Sequence, residues 1–448
     1  MSARKLLQKV SRLKNGAGDE EDSTSIPHQA CELYCKRLRE YGVLDYDDIL
    51  IEALSLFEQD LSKKSKKASQ FTYLLVDEFQ DINDVQYDLV KTWSRAGKGV
   101  FVIGDPDQSI YGFRGSNSHC FRRFEEEFEG ARFVRLVKNY RSTPEVIECA
   151  LSVISAQNEP AGGERLLEAQ REHGEKVSLL EAGDDFSEAI FVAKEINRMV
   201  GGIDMLDVQM SGHSHRDRGP ISFSDIAVLY RTHRQSEVLE KCLRKEGIPY
   251  IVTGKDKTLD DDMVRGTLCF FKSLLNPSDV VSLHTCLVTA MGCTEDVAER
   301  FVGSYMGDDC ENVEGLEQSK GLLKWMQMAE KYRECVRDGE PQQLVQSWME
   351  DNDMSDNENL ERLANMAVFH GDMESFLNAL TFGRERDVVR SGNRTYTPEA
   401  VSLMTFHGAK GLEFPKVYLV GMEDGLFPGM MSIMSGDKTE MEEERRLC

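Results

Sequence analysis

Short apolar runs that stop abruptly at carboxylates alternate with helical periodicities along much of this chain. The sharpest run is FTYLLVDEFQD, residues 71–81. Phe71 to Val76 is rich in aromatic and branched side chains and predicts a buried strand, and Asp77, Glu78, Gln80 and Asp81 follow at once. A second run, Val100 to Ile103 in GVFVIGDPDQSIYGFRGS, ends at Gly104 and Asp105, and a third, RFVRLV at 132–137, leads into KNYRSTPEVI. Strand-like KVSLLEA (176–182), helical SEAIFVAKEINRMV (187–200) and strand-like DIAVLYRT (225–232) then alternate as βαβ units do. Strand character returns at AVSLMTFHGAKGLEF (400–414) and KVYLVGM (416–422).

Helical spacing marks ARKLLQKVSRLKN (3–15), Ala30 to Tyr41, and LDYDDILIEALSLFEQDL (44–61), whose Asp45, Asp47 and Asp48 sit where the helix dipole favours anions. From about 260 to 395 the pattern is helical, at MVRGTLCFFKSLL, VAERFVGSYM, GLLKWMQMAEKYRECV and ENLERLANMAVF. The connector AQNEPAGGE (156–164) is a natural hinge, while GAGDEEDSTS (16–25), SKKSKKA (62–68) and MSGHSHRDRG (210–219) read as exposed polar segments.

The chemistry concentrates where strands end. In an open parallel sheet ligands bind beyond the carboxyl ends of the strands, and Mg²⁺ is held there by one or two carboxylates plus phosphate oxygens. Asp77 suits the metal, and Glu78 suits a water that attacks a terminal phosphate. An apolar run followed by two acids also fits a plain acidic turn. The second exit loop carries Gln108, Tyr111, Phe113 and Arg114, an amide, two aromatics and a guanidinium able to bridge a nucleotide and stacked bases. Tyr140 and Arg141 precede a helix start at Ser142, Thr143 and Pro144, and His407, Lys410, Gly411 and Glu413 lie just past a later strand. Core aromatics and an ordinary surface arginine are the plainer readings of these positions.

Composition narrows the setting. With 448 residues the chain is long enough for two to four domains, and 40% apolar residues suffice for packed cores. No run approaches the ~20 apolar residues of a membrane span. Eleven cysteines without a CxxC pair point to free thiols in a reducing compartment inside the cell, the nucleoid-bearing cytoplasm or a nucleus. A net charge of −24 argues against a generally basic nucleic-acid coat and leaves room for a local groove.

The segments DEFQD, GDPDQSIYGFRGS and KNYRSTPEVI, in this order and at short spacing, resemble the second, third and fourth motifs of the UvrD/PcrA/Rep family of superfamily 1 DNA helicases. Similarity extends upstream to SRLKN and LDYDDIL. Downstream it reaches DIAVLYRTHRQSEVLEKCLRKEGIPY, LLNPSD and VSLMTFHGAKGLEFPKVYLVGMEDGLFP, so nearly the whole chain is covered. The resemblance implies an α/β fold of two RecA-like P-loop NTPase lobes with parallel sheets and a helical insertion in the second lobe. By it, 1–145 is the remainder of the first lobe, with the end of that lobe's own helical insertion at 1–42. The second lobe is 146–260 and 396–448, and 261–395 is the helical insertion, where TLDDDM departs from the family's usual entry sequence.

The resemblance further implies an ATP-dependent DNA helicase, moving 3′ to 5′ on single-stranded DNA and opening duplexes or junctions in repair, replication or recombination. It assigns Asp77 and Glu78 to Mg²⁺ and the attacking water, Gln108 and Arg141 to the γ-phosphate of ATP, Tyr140 to the adenine face and Glu413, beside Gly411, to the ribose. Tyr111, Phe113 and His407 would touch single-stranded DNA, with Arg114 beside them; Phe113 stands where many relatives have Trp. A monomer is expected. The phosphate-cradling GxxxxGKS/T loop of such enzymes does not occur in these 448 residues. EEERRLC at the other end resembles the opening of the last family motif, before its arginine. The expectation is therefore a partial protein, inactive alone; the alternative is a non-hydrolysing DNA-binding scaffold that keeps the fold without the motor.

Overall fold

The computed structural model describes residues 3–16, 25–62, 71–95, 97–112, 115–116, 119–154, 167–201, 221–254, 258–306, 319–368, 370–382, 399–436 and 438–448. It forms two compact units. One comprises Met1–His213, Val228–Gly247 and Thr405–Cys448, and the other Ser214–Ala227 and Ile248–Met404. Among the described residues the strands are β1 (Tyr73–Val76), β2 (Gly99–Val102), β3 (Lys138–Asn139), β4 (Glu168–Ala169), β5 (Ile226–Tyr230), β6 (Tyr250–Val252), β7 (Val401–Thr405) and β8 (Lys416–Leu419).

The first unit opens with helices Ala3–Lys14, Ile26–Glu40 and Tyr46–Ser62. The aspartates at the start of the third helix do more than complement its dipole. Asp45 and Asp48 lie 2.7 and 2.6 Å from the buried Lys14 ammonium, and Asp47 accepts from Asn15 Nδ2 at 2.8 Å. SRLKN and LDYDDIL are thus two halves of one contact.

β1 pairs in parallel with β2, Leu75 opposite Phe101. Leu74, Val76, Val100 and Val102 pack on Phe79, Tyr87, Val90, Cys120 and Phe124, largely carried by helices Asp84–Ser94 and Cys120–Glu127. The predicted burial of this strand holds for that face alone, because side chains alternate along a strand and Tyr73, Leu75 and Phe101 point the other way, exposed. The third predicted strand is a further correction. RFVRLV forms no ladder, its Val134 and Leu136 are exposed, and pairing is confined to Lys138–Asn139 against β4. KVSLLEA likewise has no assigned strand. An apolar run needs a hydrogen-bonded neighbour along its length to become a strand, and among the described residues RFVRLV has one only at its end, where Val137 O accepts from Glu168 N at 2.7 Å.

The predicted helix near 187–200 is Asp185–Val200, capped by Asp184, and it packs on His233–Lys245. The amide of Val420, just past β8, donates to Leu229 O of β5 at 3.0 Å.

In the second unit β6 pairs in parallel with β7, Tyr250 opposite Val401. The four predicted helices appear as Asp262–Leu275, Glu295–Met306, Lys320–Tyr332 and Glu358–Ala367. Val280–Thr289, Pro341–Asp351 and Met373–Phe382 join them. Phe270, Phe271, Tyr332 and Trp348 form the aromatic centre, and the Trp348 indole donates to Thr267 Oγ1 at 2.9 Å. No helix among the described residues is long and apolar enough to cross a membrane. The connector at 156–164, the 210–219 segment and the lysines at 63–67 lie outside the described residues.

Phe79 is fully buried directly after the Asp77–Glu78 pair, ring to ring with Tyr87, Phe121 and Phe124. Phe79→Ala is expected to lower the stability of this unit by about 3–5 kcal/mol, read from urea unfolding. A loss under about 1 kcal/mol contradicts the packing described.

Candidate functional site

The turn after β1 is strained and heavily tied. Glu78 adopts a left-handed backbone, φ 52° and ψ 41°, unusual for a residue with a side chain. Such a conformation costs on the order of 1–3 kcal/mol and persists only where its surroundings hold it. Here Glu78 N donates to Asp77 Oδ1 at 2.9 Å, Asp81 N to Glu78 O at 3.0 Å, and Phe79 N to Ile103 O at 2.9 Å. The result projects the adjacent Asp77 and Glu78 carboxylates into solvent at the strand end.

Buried Gln80 joins this turn to the loop after β2. Its Nε2 donates to Glu78 Oε2 at 2.6 Å and its Oε1 accepts from Asp105 N at 3.0 Å. Asp105 in turn accepts from Gln108 Nε2 at 2.9 Å. Gly104 is required by close approach, since a Cβ there would run into Gln80 Oε1 and lie 3.0 Å from Phe79 N. Cys120 donates to Phe79 O beneath the turn, and burial pushes its thiol up to about 12, which keeps it an inert packing group.

A third loop enters from the chain after β7. Thr405 caps the short helix Phe406–Ala409 by accepting from Gly408 N, and Lys410 then reaches across. The Lys410 ammonium pairs with Asp81, donates to Gln108 O at 2.8 Å and lies 4.9 Å from the centre of the Tyr111 ring. His407 is 6.4 Å from the same ring, centroid to centroid. Three exit loops meet at one cation. Below it, Ile110, Phe406, Phe427 and Leu447 form a small core with half-buried Tyr111 against it.

Arg141 pairs with Glu413 at 2.8 Å, so two groups expected to face different ends of one nucleotide face each other. Tyr140 is 71% exposed and offers a bare ring, and Gly411 takes a left-handed φ of 78° where the chain turns toward Glu413. The Tyr140–Arg141 segment is anchored from the side. Asn139 Oδ1 accepts from the amides of Arg141 and Ser142, Arg171 donates to Arg141 O at 2.9 Å, and Glu145 accepts from Gly174 N at 3.0 Å and lies 2.8 Å from His173 Nδ1. Phe113 and Arg114 lie outside the described residues.

The helix Lys438–Leu447 completes the arrangement. Glu443 accepts from Gly112 N at 3.0 Å, Arg446 donates to Ser109 O at 2.8 Å, and largely buried Glu444 pairs with Arg231 at 2.8 Å. EEERRLC therefore grips the backbone of the Gln108–Tyr111 loop. Sequence reading missed this role, as it missed Gln80 and the Lys410 junction; the one available signal was that polar residues cluster beside the predicted ligands.

Among the described residues no group of three or more His, Cys, Asp or Glu side chains converges as a metal site. The exposed Asp77–Glu78 pair does fit Mg²⁺, a hard cation that takes oxygen donors and keeps several waters and phosphate oxygens around it. Bound there it would neutralise charge on phosphate oxygens.

Residues 2–129 match the UvrD/REP helicase N-terminal domain, and residues 134–448 match the UvrD-like helicase C-terminal domain. Among named relatives, the ATP-dependent DNA helicase PcrA of Staphylococcus epidermidis is 30% identical over 484 residues, covering 99% of this chain and 63% of the relative. That of Staphylococcus aureus strain Mu50 is 30% identical over 478 residues, covering 98% of this chain and 62% of the relative. The chain thus spans less than two thirds of the length of these relatives.

The Glu145 contact has a pH signature. Hydrogen bonds from the Gly174 amide and its own backbone, then His173, lower its pKa from 4.5 to about 2 in the folded chain. A depressed carboxylate stabilises above its unfolded value and loses that contribution as pH falls through the folded one. The stability difference between wild type and Glu145→Gln should be full above pH 4.5 and vanish near pH 2, followed by urea midpoints along that range. A difference independent of pH contradicts the clamp.

Proposed function

The chain belongs to the UvrD-like helicase family, and on that premise we propose that it carries the metal, water and DNA side of an ATP-driven motor that moves 3′ to 5′ on single-stranded DNA. The observation that carries the reading is the convergence of the exit loops after β1, β2 and β7 at the Lys410 ammonium, which ties residues expected at phosphate to residues expected at DNA.

In this reading Asp77 and Glu78 hold Mg²⁺, and Glu78 also orients and deprotonates the attacking water. Gln108 and Arg141 meet the γ-phosphate, Tyr140 lies against the adenine, and Glu413 with Gly411 receives the ribose. Arg141 and Glu413 must part to do so. Their exposed pairing is worth little, about 0–1 kcal/mol, so a nucleotide exchanges it readily for contacts of its own. Tyr111 and His407, with Phe113 and Arg114, face single-stranded DNA. The lobes are 1–145 and 146–260 with 396–448, and 261–395 is the helical insertion. ATP with Mg²⁺, single-stranded DNA and DNA junctions are the ligands, the protein acts as a monomer, and its free thiols suit the reducing interior of the cell.

The 448 residues contain no GxxxxGKS/T loop. The chain alone is therefore expected to release no phosphate from ATP above a Glu78→Gln control when single-stranded DNA is present. Joined to the phosphate-loop segment of a family member it should hydrolyse ATP, and Glu78→Gln should then cost about a hundredfold or more in kcat. Equal rates for that complemented protein and its Glu78→Gln variant would count against the motor and favour the non-hydrolysing scaffold.

DNA binding is expected to rest on stacking more than on charge, because the chain carries a net −24. Each stacked base contributes roughly 1–3 kcal/mol. Tyr111→Ala with Phe113→Ala should weaken single-strand binding more than neutralising Lys63, Lys64, Lys66 and Lys67, in anisotropy titrations at two salt concentrations with a shallow salt slope. A larger loss from the lysine variant at both concentrations makes Tyr111 a packing residue.

A further inference from the structure

Gln80 is a polar side chain in a place that must be explained, since it is only 1% exposed. Burying an amide is favourable only when its donors and acceptor are used. Its orientation is dictated by chemistry. Asp105 N–H can only donate, so the oxygen of Gln80 faces Asp105 and its NH₂ group faces the Glu78 carboxylate. Its surroundings hold it there: Oε1 lies where a Cβ on residue 104 would sit, a space only glycine leaves open, and the backbone carbonyl of Gln80 accepts from Ser109 Oγ at 3.2 Å.

We infer that Gln80 is a positioning residue of the hydrolytic site, holding the Glu78 carboxylate by one oxygen and coupling it to the loop that carries Gln108. The inference rests on the reading of Glu78 as the group that activates water. Glu78 is exposed and its backbone is strained, so its side chain would otherwise sample several rotamers. The 2.6 Å bond from Gln80 engages Oε2, and no other protein group is bonded to that carboxylate among the described residues, which leaves Oε1 for a water. The same amide continues through Asp105 to Gln108 Nε2. A phosphate that draws Gln108 away from Asp105 therefore pulls on the chain of hydrogen bonds that orients Glu78. Glutamate at position 80 would set carboxylate against carboxylate, and methionine would fill the space without orienting anything.

The contact is read directly by following the Gln80 side-chain ¹⁵Nε2 signal in labelled 448-residue protein, assigned by through-bond correlation to its own backbone so that no substitution of the buried residue is needed. At neutral pH this signal and the solvent exchange of its NH₂ protons should be the same in the wild type and in Asp77→Asn, and both should change in Glu78→Ala, which removes the acceptor. A Gln80 signal that Glu78→Ala leaves unmoved, or that Asp77→Asn moves as far, overturns the inference. In the phosphate-loop-complemented protein Gln80→Met should lower kcat about tenfold while leaving KM for ATP within about twofold, the pattern of an interaction used only in the transition state. If the Gln80 signal responds to Glu78→Ala as expected but hydrolysis ignores Glu78→Gln, the assignment of Glu78 fails, and the catalytic meaning of the link fails with it by a separate measurement.

Discussion

The ion pair between Lys410 and Asp81 is the contact on which the site depends. Both side chains are largely buried, so neither charge is tolerable without the other, and breaking such a pair from one side typically costs about 3–5 kcal/mol. The cost serves geometry. Lys410 stands in the loop after β7, Asp81 in the turn after β1, and the same ammonium takes Gln108 O and lies near the Tyr111 ring. A compact, rotatable cation with three donors can satisfy acceptors arriving from several directions, which a planar guanidinium does less well.

Around that junction the molecule uses backbone as often as side chains. The helix Lys438–Leu447 holds Gly112 by its amide and Ser109 by its carbonyl, and so fixes the main chain on which Gln108 and Tyr111 stand. Asn139 treats Arg141 in the same way, gripping the amides on either side of the guanidinium's own residue. Clamping the main chain fixes where a functional group starts while leaving its tip free to respond. The Arg141–Glu413 pair shows such tips resting on one another.

The strained Glu78 backbone belongs to the same logic. An isolated left-handed glutamate would relax, but here the amides of Glu78, Phe79 and Asp81 are each bonded within the turn or to β2's exit. Fully buried Phe79 then nails the turn to the core beneath. A carboxylate held at a strand end by its neighbours' packing is preorganised, and little rearrangement is left to be done when a ligand arrives.

Much of this was legible in the chain itself. Apolar runs at 71–76 and 100–103 mark strands because local composition and the polar stop decide them, and amphipathic periods from 260 onward mark helices for the same reason. The motif residues Asp77, Glu78, Gln108, Arg141 and Glu413 stand out in the sequence by their types and by their resemblance to the family's motifs. Sequence could not tell that RFVRLV and KVSLLEA would stay unpaired, or that one face of β1 would be bare, since a ladder and a covering layer depend on partners far away in the chain. Nor could it single out Gln80, Lys410 or Glu443, whose roles exist only once residues separated by 25, 302 and 331 positions are brought within hydrogen-bonding distance. Residue type and spacing set what each group can do; which groups meet is decided by long-range packing, and only the tertiary structure contains it.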